Sequence, residues 1–306
     1  MKISDPFDTF GSTVPRSAKP RTVRCYYKKT IEQKMNSEQN YIEINRQSWN
    51  NRTETHLKSE FYDLDNFLKG KSSLNDIELN LLGSIKGKTI LHLQCHFGQD
   101  TISLGRLGAD VTGIDLSDKA IECAKEIAKD TNSKAKFICC DIYDLPNHLN
   151  EKFDIVFTSY GTIGWLPDLD KWAKIISKFL KSNGQFVFVE FHPVVWMFDD
   201  NFDKIGYRYF NSGAIIETNS GTYADKTADL KVSDVSWNHG ISEVLNSLIN
   251  NGLEVKSLDE FDYSPYNCFN KMVEFEHKKY RIEHLGNKIP MVYSITAIRK
   301  KTANSA

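Results

Sequence analysis

The chain has 306 residues, 40% hydrophobic and 26% charged, enough for one sizeable core with an accessory piece. A formal net charge of -1 argues against nucleic acid or an anionic membrane surface as obligatory partner, and no apolar run approaches the ~20 residues that span a bilayer. The six cysteines (Cys25, Cys95, Cys123, Cys139, Cys140 and Cys268) show no C-x-x-C spacing and read as reduced, buried small hydrophobes of a cytoplasmic protein.

Residues 1–34 are polar and basic, with Arg16, Lys19, Arg21, Arg24, Lys28, Lys29 and Lys34 and three prolines. They lack the apolar centre of a secretory signal, and Asp5 and Asp8 argue against a mitochondrial presequence. The segment reads as a disordered tail, with Met35 as an alternative start that would make it non-native. Residues 35–88 read as a helical cap. Within 36–70, Tyr41, Ile44, Trp49, Leu57, Phe61, Leu64 and Phe67 fall near helical spacing, with a break around Asn50 and Asn51; residues 74–82 form a second helix ended by Gly83. The aromatics of this cap read either as core packing or as a lid over a ligand.

Ile90, Leu91 and Leu93 make a short strand buried on both faces. Gly98 stands at the turn into a helix carrying Ile102, Leu104 and Leu107, which Gly108 closes. A second strand, 111–114, delivers Asp115 at its carboxyl end, where an acid can accept both hydroxyls of a ribose. A helix on Ala120, Ile121, Ala124, Ile127 and Ala128 follows, capped by Ser117 or Asp118. Strand 136–140 ends at Asp141, and strand 153–159 is almost wholly apolar. Asp168 caps a helix with the stripe Trp172, Ile175, Ile176, Phe179 and Leu180; Asn183-Gly184 is a turn, and 185–191 a fifth strand. This alternation gives a mostly parallel sheet with ligands beyond the carboxyl ends of its strands. Residues 193–238 break the rhythm as an aromatic-rich insertion, with a β-hairpin from 207–210 and 214–218. Helix 242–251 and strands 253–263 and 291–300 complete the chain, with 266–290 irregular.

The order of parts resembles the class I S-adenosylmethionine-dependent methyltransferases. Those enzymes carry an acid and G-x-G-x-G after the first strand. This chain has His92 for the acid, Gln94 and His96 for the first two glycines, and Gly98 for the third. V-T-G-I-D ending at Asp115, C-D-I-Y-D-L-P with Asp141, F-D-I-V-F with Asp154 and N-G-Q-F-V-F-V-E match in order. The resemblance covers residues 89–190 well. L-Q-C-H-F-G together with G-W-L-P-D-L-D resembles a bacterial small-molecule subgroup whose acceptor the sequence does not assign.

The resemblance implies a Rossmann-like, doubly wound α/β fold: a mostly parallel seven-stranded sheet with an antiparallel C-terminal strand, a helical cap and a hairpin insertion, residues 89–306 being one methyltransferase domain. It implies S-adenosyl-L-methionine as cofactor, with the ribose on Asp115 and neighbouring Leu116. The adenine would lie on Asp141 and Ile142, or on the near competitor Asp144, and the methionine ammonium on the Leu93 and Gln94 carbonyls. Gly98 would let backbone pass close under the ligand, and Asp154 reads as structural. Ser159, Tyr160 and Trp165 would line the junction with the acceptor, unless Trp165 simply packs on Trp172. Methyl transfer is an in-line displacement that positioning can largely catalyse; His192 and His239 are candidate bases for a protonated acceptor. His92, Cys95 and His96 lie across a strand-to-turn junction and lack a fourth ligand, so no metal site is expected. The expected partner is a small-molecule acceptor, the expected state a monomer or homodimer. Two other readings share parts of the pattern: a nicotinamide (NAD)-dependent oxidoreductase, disfavoured by the lack of G-x-G-x-x-G, and a non-catalytic S-adenosylmethionine-binding protein.

Overall fold

A computed structural model describes residues 40–300; the basic tail and the alternative start at Met35 lie outside the described residues. Seven strands form one sheet in the order β3-β2-β1-β4-β5-β11-β8. The central strand β1 (Thr89–Leu93) lies parallel to β2 (Asp110–Asp115) on one side and β4 (Phe153–Ser159) on the other. β3 (Lys136–Cys139) extends the sheet beyond β2, and β5 (Leu180–Phe191) extends it beyond β4. The C-terminal strand β11 (Val292–Arg299) runs antiparallel between β5 and β8 (Leu253–Phe261), as expected. The chain winds outward from β1 to β3, then returns to β4, so the order reverses between β1 and β4. In open α/β sheets that reversal opens a crevice at the strands' carboxyl ends.

Helices cover both faces, which is why the strands are apolar without alternation. Leu91, Leu93, Val156, Phe186 and Phe188 pack beneath α6 (Leu169–Phe179) and α7 (Ile241–Asn250), around the fully buried Trp172. Ile90, Val111, Ile155, Phe157 and Val187 pack on the opposite face, against α3 (Asp76–Leu82) and Leu104 of α4 (Gln99–Arg106). The helix α5 (Asp118–Asp130) is capped by Ser117, whose hydroxyl accepts from the Ala120 amide, and α6 by Asp168, which accepts from Lys171. Asp154 holds the far ends of the strands together through Thr89 and Lys181, and these partners keep its carboxyl low, at about 2.

Six local expectations change. The first helix, α1 (Tyr41–Lys58), runs unbroken through Asn50 and Asn51 and stops instead before a turn leading to α2 (Leu64–Leu68). Asn50 does not break it because its amide leaves the helix to bond Asp118 and accept from the Ser117 hydroxyl. Leu107 is not part of the buried stripe of α4 but its half-exposed C-cap. Asn183-Gly184 lies inside β5, where Asn183 takes a left-handed φ of 60 and the register against β4 shifts. The insertion hairpin pairs β6 (Ile215–Ser220) with β7 (Lys231–Ser236), leaving 207–210 outside it, and residues 266–290 hold a second hairpin, β9 (Met272–Glu276) with β10 (Lys279–Ile282). In both, cross-strand pairing overrode a weak local pattern. Five cysteines among the described residues are free; Cys139 is exposed and Cys123 half-buried, so not all are core residues.

Candidate functional site

The turn after β1 has left-handed backbone where a glycine-rich loop would carry its first two glycines. Gln94 and His96 hold left-handed backbone (φ 55 and 49), the region glycine enters freely and side chains rarely do. His92 is buried, and its Nδ1 lies 2.8 Å from the Thr101 hydroxyl on α4; burial drives its pKa down to about 3. It is a neutral tie between strand and helix, and β1 itself presents no carboxylate. The Gln94 amide donates to the Thr162 carbonyl at 2.9 Å. Leu93 is fully buried, and its carbonyl accepts a long 3.4 Å bond from Thr158.

Asp115 stands half-buried at the end of β2. One carboxylate oxygen accepts from the His96 amide and the other from the Ser117 amide, each at 2.8 Å. Burial pushes its pKa up to about 6 against the pull of those amides. A carboxylate has about four lone-pair sites, so two remain for donors from the cleft. Leu116 beside it is half-buried. Asp141 caps the 3-10 turn Ile142–Asn147, one oxygen accepting from the Tyr143 amide at 2.8 Å; Ile142 is buried. Asp144 turns outward to Asn147 and His148.

Gly98 is bare on the side of its own fold. Its φ is +78, and an added Cβ would lie 2.5 Å from Cε1 of Phe137 and 3.1 Å from Cβ of Ala124. Bareness here lets the turn pack on β3 and α5. Gly98→Ala should therefore destabilise the fold by about 2–4 kcal/mol, from overpacking plus the left-handed backbone. A urea unfolding midpoint shift at constant m-value would show it.

Beyond β4, Glu190 organises the loop. This buried carboxylate accepts from the amides of Gly161, Thr162, Ile163 and Phe191 and from the Thr162 hydroxyl. The loop it fixes carries Trp165, whose indole donates to the Gly161 carbonyl at 2.8 Å. Trp165 packs edge-on against Trp49 of α1, with ring centroids 5.3 Å apart, whereas Trp172 lies among Phe186 and Phe188. Ser159 is half-buried with its hydroxyl 3.4 Å from Asp100.

The cap contributes a polar face. Asn45, Ser48, Arg52, Thr53 and His56 are the buried residues of α1. Asn45 exchanges two hydrogen bonds with the backbone of Val235, and Arg52 grips Asp234 bidentately at 2.6 and 2.9 Å, so α1 clamps β7 of the insertion. The Arg52 guanidinium also lies over the Trp49 ring, 5.4 Å from its centroid. His56 Nδ1 meets His96 Nε2 at 2.9 Å, and the Tyr62 and Tyr223 hydroxyls meet at 2.5 Å. Burial and the nearby Arg52 hold both imidazoles neutral, His56 down to about 3. Helix, turn and insertion thus meet in one aromatic cluster at the strands' carboxyl ends.

Of the candidate bases, His192 and His239 are not brought into that cluster. His192 accepts from the Val194 amide and its other nitrogen lies 2.8 Å from Glu260 on β8, at the antiparallel side of the sheet. His239 is buried, Nε2 2.8 Å from the Leu166 carbonyl and Nδ1 3.0 Å from Glu243. Both neighbours are acceptors, so the ring pins α7 to the loop bearing Trp165. Tyr160, left-handed at φ 43, donates to Glu78 of α3 at 2.9 Å and packs on Phe191 and Tyr266. Burial, reinforced by the charge of Asp100, raises Glu78 to about 7.

The sequence reading missed Trp49, Arg52, His56, Tyr62, Glu78, Glu190 and Tyr223 as site residues. For α1 a signal existed: Asn45, Ser48, Arg52 and His56 recur at helical spacing, a polar stripe where a core helix would be apolar. Among the described residues no three of His, Cys, Asp and Glu gather as a metal site needs.

A family model described as "Methyltransferase domain" matches residues 84–251, just over half of the chain. Among curated relatives, a ubiquinone biosynthesis O-methyltransferase of Bordetella avium is 25% identical over 132 residues, which cover 42% of this chain and 54% of that protein. The Idiomarina loihiensis protein of the same name is 26% identical over 136 residues, or 43% and 56%. The chain thus spans about half the length of the curated relatives it matches. Solved structures share the fold. An S-adenosylmethionine-dependent methyltransferase from Clostridium acetobutylicum aligns with TM-score 0.51 and 16% identity, over 82% of this chain and 96% of that one. A geranyl diphosphate C-methyltransferase from Streptomyces coelicolor A3(2), in complex with S-adenosyl-L-homocysteine, aligns with TM-score 0.54 and 15% identity over 85% and 98%. With its sheet order and this family match, the chain belongs to the methyltransferase domain family.

Proposed function

We propose that this chain transfers a methyl group from S-adenosylmethionine to a small planar or apolar acceptor. The observation that carries the reading is Asp115: a half-buried carboxylate at the end of β2, clamped by two amides yet with lone pairs to spare, beside a turn of left-handed backbone. S-adenosylmethionine supplies an already activated methyl on a sulfonium. The chain's task is to bind, align and exclude water. Asp115 would hold the ribose diol and the free oxygen of Asp141 the adenine amino group. Trp165 and Trp49 would present aromatic faces to the sulfonium side. The cap and insertion would close over the acceptor, since Tyr62, Tyr223 and the two histidines already meet there. No helix among the described residues is long and apolar enough to cross a membrane; the five free cysteines among the described residues fit the cytoplasm as the place of work.

Calorimetry with S-adenosylmethionine, S-adenosylhomocysteine and NAD tests the cofactor. Binding of NAD without S-adenosylhomocysteine would end this reading. An acceptor screen read by S-adenosylhomocysteine release follows, beginning with phenols because the curated relatives are named as O-methyltransferases.

For an acceptor that arrives protonated, the Tyr160–Glu78 pair is the proton sink. A carboxylate near 7 is suited to that work at neutral pH. Glu78→Gln should then lower kcat by about 100-fold and remove a limb near pH 7 from the pH–rate profile, with S-adenosylhomocysteine affinity little changed. A profile identical to the wild type's would return the pair to a structural role.

A further inference from the structure

We infer that His56 of α1 recognises the acceptor, by a hydrogen bond between its Nε2 and an acceptor hydroxyl. The inference rests on the methyl-transfer reading above and adds the acceptor's chemistry to it. His56 is fully buried, and its Nε2 has no hydrogen-bond partner among the described residues. The two hydroxyl-bearing rings packed on it, Tyr62 and Tyr223, spend their hydroxyls on each other at 2.5 Å. A buried polar atom without a partner is costly to keep, so it points to a group that arrives with a ligand.

The ring is tied to the turn that follows β1. Its Nδ1 lies 2.9 Å from Nε2 of His96, and the His96 amide donates to Asp115 at 2.8 Å. His96 therefore links His56 to the carboxylate that would hold the ribose. Aromatic rings stand around the imidazole: Tyr62 stacks with centroids 5.3 Å apart, Tyr223 tilts at 4.8 Å and Trp49 is edge-on at 6.1 Å. Such walls suit a planar ligand, and Nε2 supplies the polar point that fixes its orientation. Tyr62 and Tyr223 are only half-buried, so they form an outer layer over His56. They come from the turn after α1 and from the connection between β6 and β7, the two parts proposed to close over the acceptor. Entry of the acceptor parts their contact and uncovers Nε2.

The histidine pair selects the hydroxyl. One proton lies between His56 Nδ1 and His96 Nε2. When His56 donates it, Nε2 of the neutral ring is a bare lone pair; when His96 donates, Nε2 carries a proton. A hydroxyl suits either state, because it both donates and accepts. A carboxylate suits only the second and an ammonium only the first.

Titration of the S-adenosylhomocysteine complex with phenol and with toluene, followed by tryptophan fluorescence, tests the assignment. Phenol loses more hydration than toluene on burial, so a site without a polar partner prefers toluene. Wild type should prefer phenol. His56→Asn keeps a polar atom near Nδ1 and removes Nε2. It should weaken phenol binding by about 3- to 10-fold while toluene and S-adenosylhomocysteine stay within about twofold, with melting curves confirming the fold. His56→Gln, whose longer amide reaches toward the place of Nε2, should recover most of the preference for phenol. A wild type that prefers toluene, or binds neither ring up to its solubility, overturns the inference without any variant. So does a His56→Asn protein with unchanged phenol affinity, or a His56→Gln protein no better than His56→Asn. A His56→Asn protein that loses S-adenosylhomocysteine as well would make His56 a prop for the turn, and overturns it too. If wild type binds no S-adenosylhomocysteine, the cofactor reading itself has failed, and this inference with it.

Discussion

Glu190→Ala should cost about 3–5 kcal/mol of stability, the range for removing one partner of a buried charged hydrogen-bond hub. The carboxylate holds three consecutive amides, Gly161 to Ile163, together with the Phe191 amide and the Thr162 hydroxyl. Without it these mostly buried donors lose their acceptor, and each unsatisfied donor costs about 1–3 kcal/mol before relaxation. The damage should spread beyond stability. The Thr162 carbonyl accepts from Gln94, and the Gly164 carbonyl accepts from the Trp237 amide, so the same loop aligns the β1 turn and the insertion. Glu190→Gln, which keeps shape but turns an amide group toward donors, should fall between wild type and alanine. Urea unfolding measures the cost, and S-adenosylhomocysteine affinity measured well below the transition reads the misalignment. A loss under 1 kcal/mol for the alanine variant would show that the loop is held by its own packing.

Glu190 also shows where the sequence stops being legible. The strand that carries it was readable, because Phe186 to Val189 is an apolar run with only one place to go. Its role was not, because four of the five groups it satisfies lie a full helix-strand crossover earlier in the chain and reveal nothing by periodicity. Asp115 was readable for the opposite reason: its position at a strand end follows from local pattern alone. Gly98 was found, but the sequence marks a bare position and cannot say on which side the bareness is used; the atoms nearest an added Cβ belong to Phe137. His192 and His239 were reasonable as bases by residue type, yet Glu260 and Glu243, which occupy them, arrive from distant or facing segments. The cap's polar stripe was present in the sequence and was hidden by its aromatics, which drew the eye to packing.

Affinity for S-adenosylhomocysteine should rise with pH between about 5 and 8, and Asp115 should be the reason. Burial lifts its pKa from 3.8 to about 6, so the free protein carries it largely protonated at pH 5. Only the ionised carboxylate can accept from both ribose hydroxyls, so binding favours that form and must lower the group's pKa; affinity is greatest above about 6 and falls by up to tenfold per unit below it. The same group acts on stability with the opposite sign. Its folded pKa lies above the unfolded value, so its stabilising contribution is complete below 3.8 and is lost as pH rises through about 6. Unliganded protein should therefore lose this contribution over the range in which ligand binding strengthens, and the rise in melting temperature caused by ligand should widen from pH 5 to pH 8. Asp115→Ala should weaken binding at pH 8 by about 1.5–3 kcal/mol, roughly 10- to 100-fold, and flatten the pH dependence. Because alanine also releases the His96 and Ser117 amides, the wild-type pH series is the more direct measurement. A wild-type affinity constant from pH 5 to 8 would place the ribose away from Asp115, and with it the crevice that the reversal between β1 and β4 opens.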